Sequence, residues 1–262
     1  MSFPAFLDLP KRANKPRALG LTHVLDKGLG RVEVASVLSS ASDYIDMWKL
    51  GWGTAYVTDS VAETVALLAD HAVRACVGGT LLEVAWAQGR AGAFLDWAEE
   101  VGFPCVEVSN GAVEMPASEK HRLISESAQR FEVVAEVGSK DGAVVQPPAQ
   151  WAAAARADLD AGARWIVTEG RASGTAGIYL PDQSVRPDVV DATAAAVGLE
   201  RLIFEAPLHS QQVWFVRQFG PDVGLGNVSH DNVLGLEALR LGLRADTIDL
   251  VVPSAPVGEP VP

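Results

Sequence analysis

Glu169-Gly170-Arg171-Ala172-Ser173-Gly174 follows directly on the apolar run Ala163-Arg164-Trp165-Ile166-Val167-Thr168. The run has the length and composition of a buried strand, and an acid, a cation and two glycines stand where it ends. A carboxylate can bind a metal ion, a guanidinium can pair with a ligand's charge, and glycines permit close backbone approach. The stretch therefore indicates a strand that ends in a site for an anionic ligand.

The same arrangement recurs at the ends of other apolar runs. Charged residues and glycines follow such runs at Asp26-Lys27-Gly28, Lys49-Leu50-Gly51-Trp52-Gly53, Gly78-Gly79, Glu136-Val137-Gly138-Ser139-Lys140 and Glu205-Ala206-Pro207. Eight predicted strands alternate with helical segments between residues 18 and 241. Such alternation predicts a parallel sheet with right-handed crossovers. Eight units in 262 residues favour a single-domain α/β fold, the (β/α)8 TIM-type barrel, over an open doubly wound sheet.

A barrel of this kind has its active site at the carboxyl ends of its strands. The charged residues and glycines stand at those ends, so the predictions of fold and site agree. We expect three parts in the chain: residues 1–16 as an N-terminal segment that leads into the barrel, residues 17–251 as the barrel, and residues 252–262 as a proline-rich flexible tail.

The composition argues against several classes of protein. The net charge of −12 opposes a nucleic-acid binder, which needs a basic face, although local cations can still bind a small anion. No signal peptide or run of about 18 uncharged apolar residues is present, so neither secretion nor membrane spanning is predicted. Cys76 and Cys105 lack zinc-site spacing and are interpreted as buried free thiols. We expect a cytoplasmic protein.

Four glutamates stand at the ends of predicted strands: Glu107, Glu136, Glu169 and Glu205. Any one of them could be a salt-bridge partner at the rim of the barrel. Four converging carboxylates would repel each other unless a divalent cation, lysines or arginines neutralise them. A Mg²⁺ site with two of these glutamates as ligands is the preferred interpretation, and the sequence alone leaves open which two.

Two lysines are candidates for chemistry. Lys49 stands between Trp48 and Trp52, so it either extends past the aromatic rings to solvent or is held for a reaction. Lys140 follows a glycine turn and is either a proton donor, with a pKa set by burial and neighbouring charges, or a lysine of a mobile loop.

Asp26, Lys27 and His209 have two interpretations each. Asp26 and Lys27 either belong to the site or are an acid at a helix start beside a solvated lysine. His209 either binds an anion or transfers protons, or it is a histidine at a helix start. The sequence lacks a complete dinucleotide fingerprint, a P-loop, a GxSxG elbow and an HExxH motif, so no nucleotide cofactor or acyl-enzyme serine is indicated.

Taken together, these motifs resemble the phosphosulfolactate synthase family, which adds sulfite to phosphoenolpyruvate with Mg²⁺ on a (β/α)8 barrel. The matching segments run in the family's order from about residue 17 to residue 249. They are Leu21-Thr22, Asp26-Lys27-Gly28-Leu29, Asp43-Tyr44-Ile45-Asp46, Lys49, Gly51-Trp52-Gly53-Thr54, Gly78-Gly79-Thr80-Leu81, Val106-Glu107-Val108-Ser109, Glu136-Val137-Gly138, Asp160-Ala161-Gly162-Ala163, Glu169-Gly170-Arg171, Ser173-Gly174, Phe204-Glu205-Ala206-Pro207, Ser210-Gln211-Gln212, Leu236-Glu237 and Gly242-Leu243-Arg244.

The resemblance implies a mechanism and a set of roles. Sulfite attacks the methylene carbon of the enol phosphate, and negative charge moves onto the carboxylate as an enediolate. A bound Mg²⁺ would stabilise that charge as a Lewis acid, and a lysine would protonate the adjacent carbon. It also implies a homo-oligomer. The implied roles are Lys140 as the acid, with Lys49 and Asp26 as further catalytic residues; Lys27, Arg171, Gly78, Gly79, Ser173, His209 and Ser210 as substrate-binding residues; and Glu136, Glu169 and Glu205 as metal ligands.

The chain departs from the family pattern at three positions. Ser139 stands where the family has the first of two lysines, His209 where it has lysine, and Asn110 where it has aspartate. Each lost charge-assisted contact to a phosphate would cost roughly 1.5–3 kcal/mol. Two alternatives therefore stay open. The chain could add sulfite or another sulfur nucleophile to a different unsaturated acid, or it could be a non-catalytic barrel like the related plant heat-stress-associated proteins.

Overall fold

The apolar runs form eight strands that pair in parallel in chain order, and the last strand pairs with the first. The structure, a computed structural model, describes residues 6–139 and 146–252. The prediction of a single-domain (β/α)8 barrel is confirmed. The strands are β1 (Thr22–Asp26), β2 (Met47–Leu50), β3 (Arg74–Val77), β4 (Cys105–Val108), β5 (Glu132–Val137), β6 (Trp165–Thr168), β7 (Leu202–Glu205) and β8 (Leu225–Val228).

Helices follow the strands and surround the barrel. The described residues form α1 (Arg31–Ala41), α2 (Thr54–Val57), α3 (Val61–Asp70), α4 (Gly79–Ala87), α5 (Ala91–Val101), α6 (Ala117–Ser127), α7 (Pro148–Asp160), α8 (Pro187–Val197), α9 (His209–Phe219) and α10 (Val233–Arg240). Prolines begin α7 and α8. A backbone N–H at the first position of a helix has no carbonyl partner within the helix, so proline loses no hydrogen bond there. Within the described ranges, no helix has the length and apolar character that crossing a membrane requires.

Successive side chains of a strand point to opposite faces, so the barrel has two apolar layers. One layer lies between strands and helices and includes Trp48 and Phe204. The other fills the barrel interior and includes Trp165, Cys76 and Cys105. The two cysteines are free and fully buried, with their Sγ atoms 3.3 Å apart across β3 and β4. The interpretation as buried free thiols is confirmed.

Ionic groups lie at the amino ends of the strands. Nε of Arg74 is 2.8 Å from a carboxylate oxygen of Glu132, which also pairs with Arg164. Both guanidinium groups lie over the Trp165 ring, at 5.5 Å and 4.5 Å from its centroid. This group closes the end of the barrel opposite to the predicted site.

Two element boundaries differ from what the local sequence predicts. The alternating pattern of residues 44–50 predicts a strand from Tyr44, but Ser42–Tyr44 form a 3-10 turn and β2 begins at Met47. The residues from Leu82 to Gln88 predict a helix, but α4 already begins at Gly79, whose N–H is accepted by the Glu107 carboxylate at 2.9 Å.

Candidate active site

The carboxyl ends of the strands surround a cavity of about 350 Å³. Six of the predicted site residues line it together: Lys49, Glu136, Glu169, Arg171, Ser173 and Glu205. The remaining lining residues are Leu25, Trp52, Thr80, Glu107, Ala172 and Asn227. The cavity thus collects four carboxylates and two cations from β2, β4, β5 and β7 and from the segment after β6.

Lys49 is the ionic centre of this cavity. Its Nζ lies 2.8 Å from Oε2 of Glu107 and 3.3 Å from Oε1 of Glu205. The other oxygen of each carboxylate accepts a backbone N–H, from Gly79 for Glu107 and from Gly170 for Glu205, both at 2.9 Å. Lys49 therefore points into the barrel and does not extend to solvent. The contacts fix three charged side chains in one arrangement.

The pKa values of these groups shift in different directions. Burial alone would lower the pKa of Lys49, but Glu107, Glu205 and Glu136 outweigh burial and raise it well above its usual value. Burial would raise the pKa of Glu107, but Lys49 and the Gly79 N–H lower it overall. Burial and the neighbouring glutamates raise the pKa of Glu205 despite Lys49. Lys49 is therefore a permanent cation near neutral pH, and Glu205 takes up a proton more readily than an ordinary glutamate.

The segment after β6 places Glu169 and Arg171 at the cavity. The Glu169 carboxylate accepts the backbone N–H of Arg171 at 2.6 Å, and the Glu169 carbonyl accepts the N–H of Ile178 at 3.0 Å. Arg171 has a φ of 55° and an exposed side chain. Its guanidinium forms no salt bridge with any residue in the described ranges, so it can bind an anionic ligand.

Gly177 packs against the backbone of Glu169, and Gly177→Ala tests whether this close contact stabilises the fold. A Cβ at Gly177 would overlap the Glu169 carbonyl oxygen, and its φ is 67°. Gly89 has the same φ, and a Cβ added there would have no atom within 4 Å. Gly89→Ala therefore measures the destabilisation from positive φ alone, about 1 kcal/mol. We expect Gly177→Ala to lower the free energy of unfolding by about 1–3 kcal/mol more than Gly89→Ala, as overpacking does. Equal losses in urea titrations would contradict this.

Asp26, Gly78 and Gly79 lie near the cavity but outside its lining. The Asp26 carboxylate is buried and accepts the Trp48 indole N–H at 2.9 Å and the N–H groups of Gly28 and Leu29 at 2.7 and 2.8 Å. These contacts give Asp26 a structural task in the turn after β1. A Cβ at Gly78 would lie 2.9 Å from the backbone of Leu50 and of Trp52, and a Cβ at Gly79 would overlap the Ser109 hydroxyl oxygen. Close packing therefore requires both glycines.

The other predicted residues lie at the rim or outside the described ranges. Lys27 and Ser210 are exposed. His209 begins α9, and its Nε2 lies 2.8 Å from a carboxylate oxygen of Asp246. Lys140, the predicted acid, falls outside the residues that the structure describes. For these four residues the predicted roles stay predictions.

Sequence reasoning missed two buried side chains on the surrounding helices that bind the strand and loop next to the cavity. Nζ of Lys120 in α6 donates to the Glu136 carbonyl and to the Asp158 carboxylate, both at 2.6 Å. The Glu83 carboxylate in α4 accepts the Ser109 hydroxyl at 2.5 Å and the N–H groups of the loop after β4. A lysine and a glutamate on surface helices are ordinarily solvated, so only their three-dimensional contacts show these functions.

The donor chemistry of the cavity suits a divalent cation. Glutamate carboxylates are hard oxygen ligands, and four of them against two cations leave excess negative charge. Among residues 6–139 and 146–252, no three acidic, histidine or cysteine side chains form a ready-made metal site. Binding a cation would therefore require neighbouring carboxylates to turn toward one point.

Comparison with known proteins places the chain in one family. The sequence model of (2R)-phospho-3-sulfolactate synthase (ComA) matches residues 10–246. The phosphosulfolactate synthase of Bacillus subtilis is 38% identical over 247 residues, covering 93% of this chain and 98% of its own length. The phosphosulfolactate synthase of Methanothermobacter thermautotrophicus is 39% identical over 249 residues, covering 92% and 96%.

More distant similarities agree with the fold. The Arabidopsis thaliana protein HEAT-STRESS-ASSOCIATED 32 is 24% identical over 275 residues and covers 90% of this chain and 91% of its own. A crystal structure of 3-hexulose-6-phosphate synthase superposes with a TM-score of 0.51 at 15% identity, covering 84% of this chain and 99% of that one. The structural likeness supports the barrel alone. The match of the family model over most of the chain, with two synthases at 38% and 39% identity, shows that the protein belongs to the phosphosulfolactate synthase family of enzymes.

Proposed function

We propose that the protein adds sulfite to phosphoenolpyruvate to give phosphosulfolactate, in a Mg²⁺-dependent reaction. The supporting observation is the single cavity in which Lys49, Arg171 and four glutamates meet, in a chain of this family. Both proposed substrates are small anions, and a cavity of about 350 Å³ is of the size that binds such ligands. Arg171 offers a planar guanidinium that matches a carboxylate or phosphate.

The proposed Mg²⁺ would bind at neighbouring strand ends. Glu136 and Glu169, with Glu205 third, stand at the ends of β5, β6 and β7, which are adjacent in the barrel. Mg²⁺, when bound, would supply a Lewis acid for the negative charge that develops on the substrate carboxylate. Lys120 would keep Glu136 in place, because it binds the carbonyl of that residue from the outer side of β5.

The remaining chemistry falls to the chain's own side chains. Arg171 and Lys49 would orient the acid substrate, so that the sulfur lone pair of sulfite reaches the methylene carbon. The C–S bond forms as the C=C electron pair moves toward the carboxylate. Lys140 would then give its proton to the carbon that carries the phosphate, which completes phosphosulfolactate. Lys49 is a poorer proton donor for this step, because its raised pKa makes it a weaker acid than an ordinary lysine.

A second candidate is the addition of sulfite, or another sulfur nucleophile, to a different unsaturated acid. Ser139 replaces a family lysine, and His209 replaces another and is paired with Asp246. Fewer cations at the rim favour an acceptor with less charge than a phosphate dianion. The third candidate is a non-catalytic barrel, motivated by the similarity to the plant protein HEAT-STRESS-ASSOCIATED 32.

One experiment separates the three candidates. Loss of phosphoenolpyruvate is followed in purified protein with sulfite, with and without Mg²⁺, and again after chelation. We expect turnover that needs both sulfite and the metal. Turnover only with another unsaturated acid would favour the second candidate, and no turnover in folded protein with any such acid would favour the third. A cytoplasmic location and a homo-oligomeric state also stay predictions, which fractionation and light scattering would test.

A further inference from the structure

Asn227 departs from regular strand geometry near the end of β8. Thr22 pairs with Leu225 and Val24 pairs with Val228, so three steps along β8 match two steps along β1. A bulge of this kind inserts one extra residue and redirects a side chain. The φ of Asn227 is 52°, in the left-handed region that is unfavourable for a residue with a Cβ.

The bulge presents Asn227 to the cavity. Leu225 and Val228 both pack in the layer between the barrel and the helices, although they are three positions apart. Gly226 faces the interior, where a Cβ would lie 3.1 Å from Nδ1 of His23. Asn227 is the additional residue, and it lines the cavity. In a strand without the bulge, the residue after Gly226 would have pointed toward the helices.

The Asn227 amide is buried without a complete set of partners. The residue is 7% exposed, and its Oδ1 has no hydrogen-bond partner in the part of the chain that the structure describes. A buried amide without a partner is unfavourable. The Nδ2 group of the same amide donates no hydrogen bond to any residue in the described ranges, so its N–H is available to a ligand oxygen.

Backbone strain collects around the same cavity. Trp52 and Arg171 also line it and have φ values of 54° and 55°. Within residues 6–139 and 146–252, the two further non-glycine residues with positive φ are Ala72 and Gln183, and neither lines the cavity. Strain of this kind persists where the surrounding structure fixes a residue for a task. The shared location indicates ligand binding as that task.

We propose that Asn227 is a ligand-binding residue whose amide donates a hydrogen bond to an oxygen of the oxyanion that the cavity takes up. A neutral amide suits this position because it can donate to an oxyanion without forming an ion pair with the four glutamates of the cavity, which are the proposed metal ligands and partners of Lys49. The inference rests on the proposed function, since both proposed substrates, a phosphorylated carboxylic acid and sulfite, are oxyanions.

Two substitutions test the inference through binding. Asn227→Asp keeps the size of the side chain and its tolerance of positive φ, but it replaces the N–H donor with a repelling carboxylate. Asn227→Gly removes the amide and relieves the backbone. Ala72→Gly is the matched control, because it relieves positive φ at an exposed position outside the cavity. Phosphoenolpyruvate, sulfite, phosphate and pyruvate are each titrated into every protein by calorimetry, and the thermal midpoints are recorded.

We expect Asn227→Gly to bind the preferred anion about 10- to 100-fold more weakly than the parent, and Asn227→Asp more weakly still. The anion most affected identifies the contacted oxygen. Ala72→Gly should bind as the parent does. If the parent binds an anion but does not turn over, and Asn227→Asp loses that binding, the inference stands and the proposed reaction fails. Unchanged binding by Asn227→Gly, or a parent that binds none of the four anions, would overturn the inference.

Discussion

Lys49→Met is expected to abolish measurable turnover and to lower the free energy of unfolding by about 3–5 kcal/mol. Methionine fills a similar volume, but it leaves Glu107 and Glu205 buried and close together without the ammonium group that now lies 2.8 and 3.3 Å from them. An uncompensated buried charge is far more costly than a lost surface ion pair. Urea unfolding and the sulfite-dependent assay measure the two effects.

The control for Lys49→Met is Lys11→Met, at an exposed lysine in the segment before β1. This change should alter stability by no more than about 0.5 kcal/mol and leave turnover as it is. A Lys49→Met protein as stable as the control would show that the ion pair between Lys49 and Glu107 does not contribute to the free energy of unfolding.

The pH dependence of the Lys49 effect follows from the direction of its pKa shift. The folded pKa of Lys49 is raised, so its stabilisation is fully present below the ordinary lysine pKa and is lost only as pH rises through the folded value. The deficit of Lys49→Met should therefore stay constant near neutral pH. It should shrink in acid, where protonation neutralises Glu107 and Glu205 in the variant. A deficit that grows in acid would contradict this assignment.

Lys140→Ala is expected to lower kcat by about 10²- to 10⁴-fold, the usual contribution of a positioned acid. The KM for phosphoenolpyruvate should change little, because the proposed proton transfer follows C–S bond formation. Steady-state kinetics of both substrates at saturating Mg²⁺ measure this, with Lys11→Ala as the matched loss of one lysine. A higher KM with an unchanged kcat would mean that Lys140 binds substrate, and the acid role would then be wrong.

The sequence predicted the parts of the site that depend on strand endings. Lys49, Glu136 and Glu205 stand on predicted strands at their carboxyl ends, and a parallel barrel brings those ends together whatever the loops do. The same rule predicts the position of Arg171, which lies in the segment directly after β6. These residues line one cavity because the topology fixes their positions.

Other features depended on contacts that no local pattern shows. Asp26 has the same place at a strand end as Glu205, yet the Trp48 indole and two backbone N–H groups occupy its carboxylate. His209 meets Asp246, 37 residues further along the chain. The bulge at Asn227 arises from the pairing of β8 with β1, on strands about 200 residues apart, so no sequence period reveals it.

The paired thiols inside the barrel have a practical consequence for labelling this protein. Cys76 and Cys105 are its two cysteines, and neither is exposed to solvent. Burial, together with Cys105, raises the pKa of Cys76 well above its usual value, so little of the reactive thiolate forms. A cysteine introduced at an exposed position such as Lys11 would therefore react selectively with a maleimide dye. Fluorescent probes can be attached at chosen sites without first removing the original cysteines.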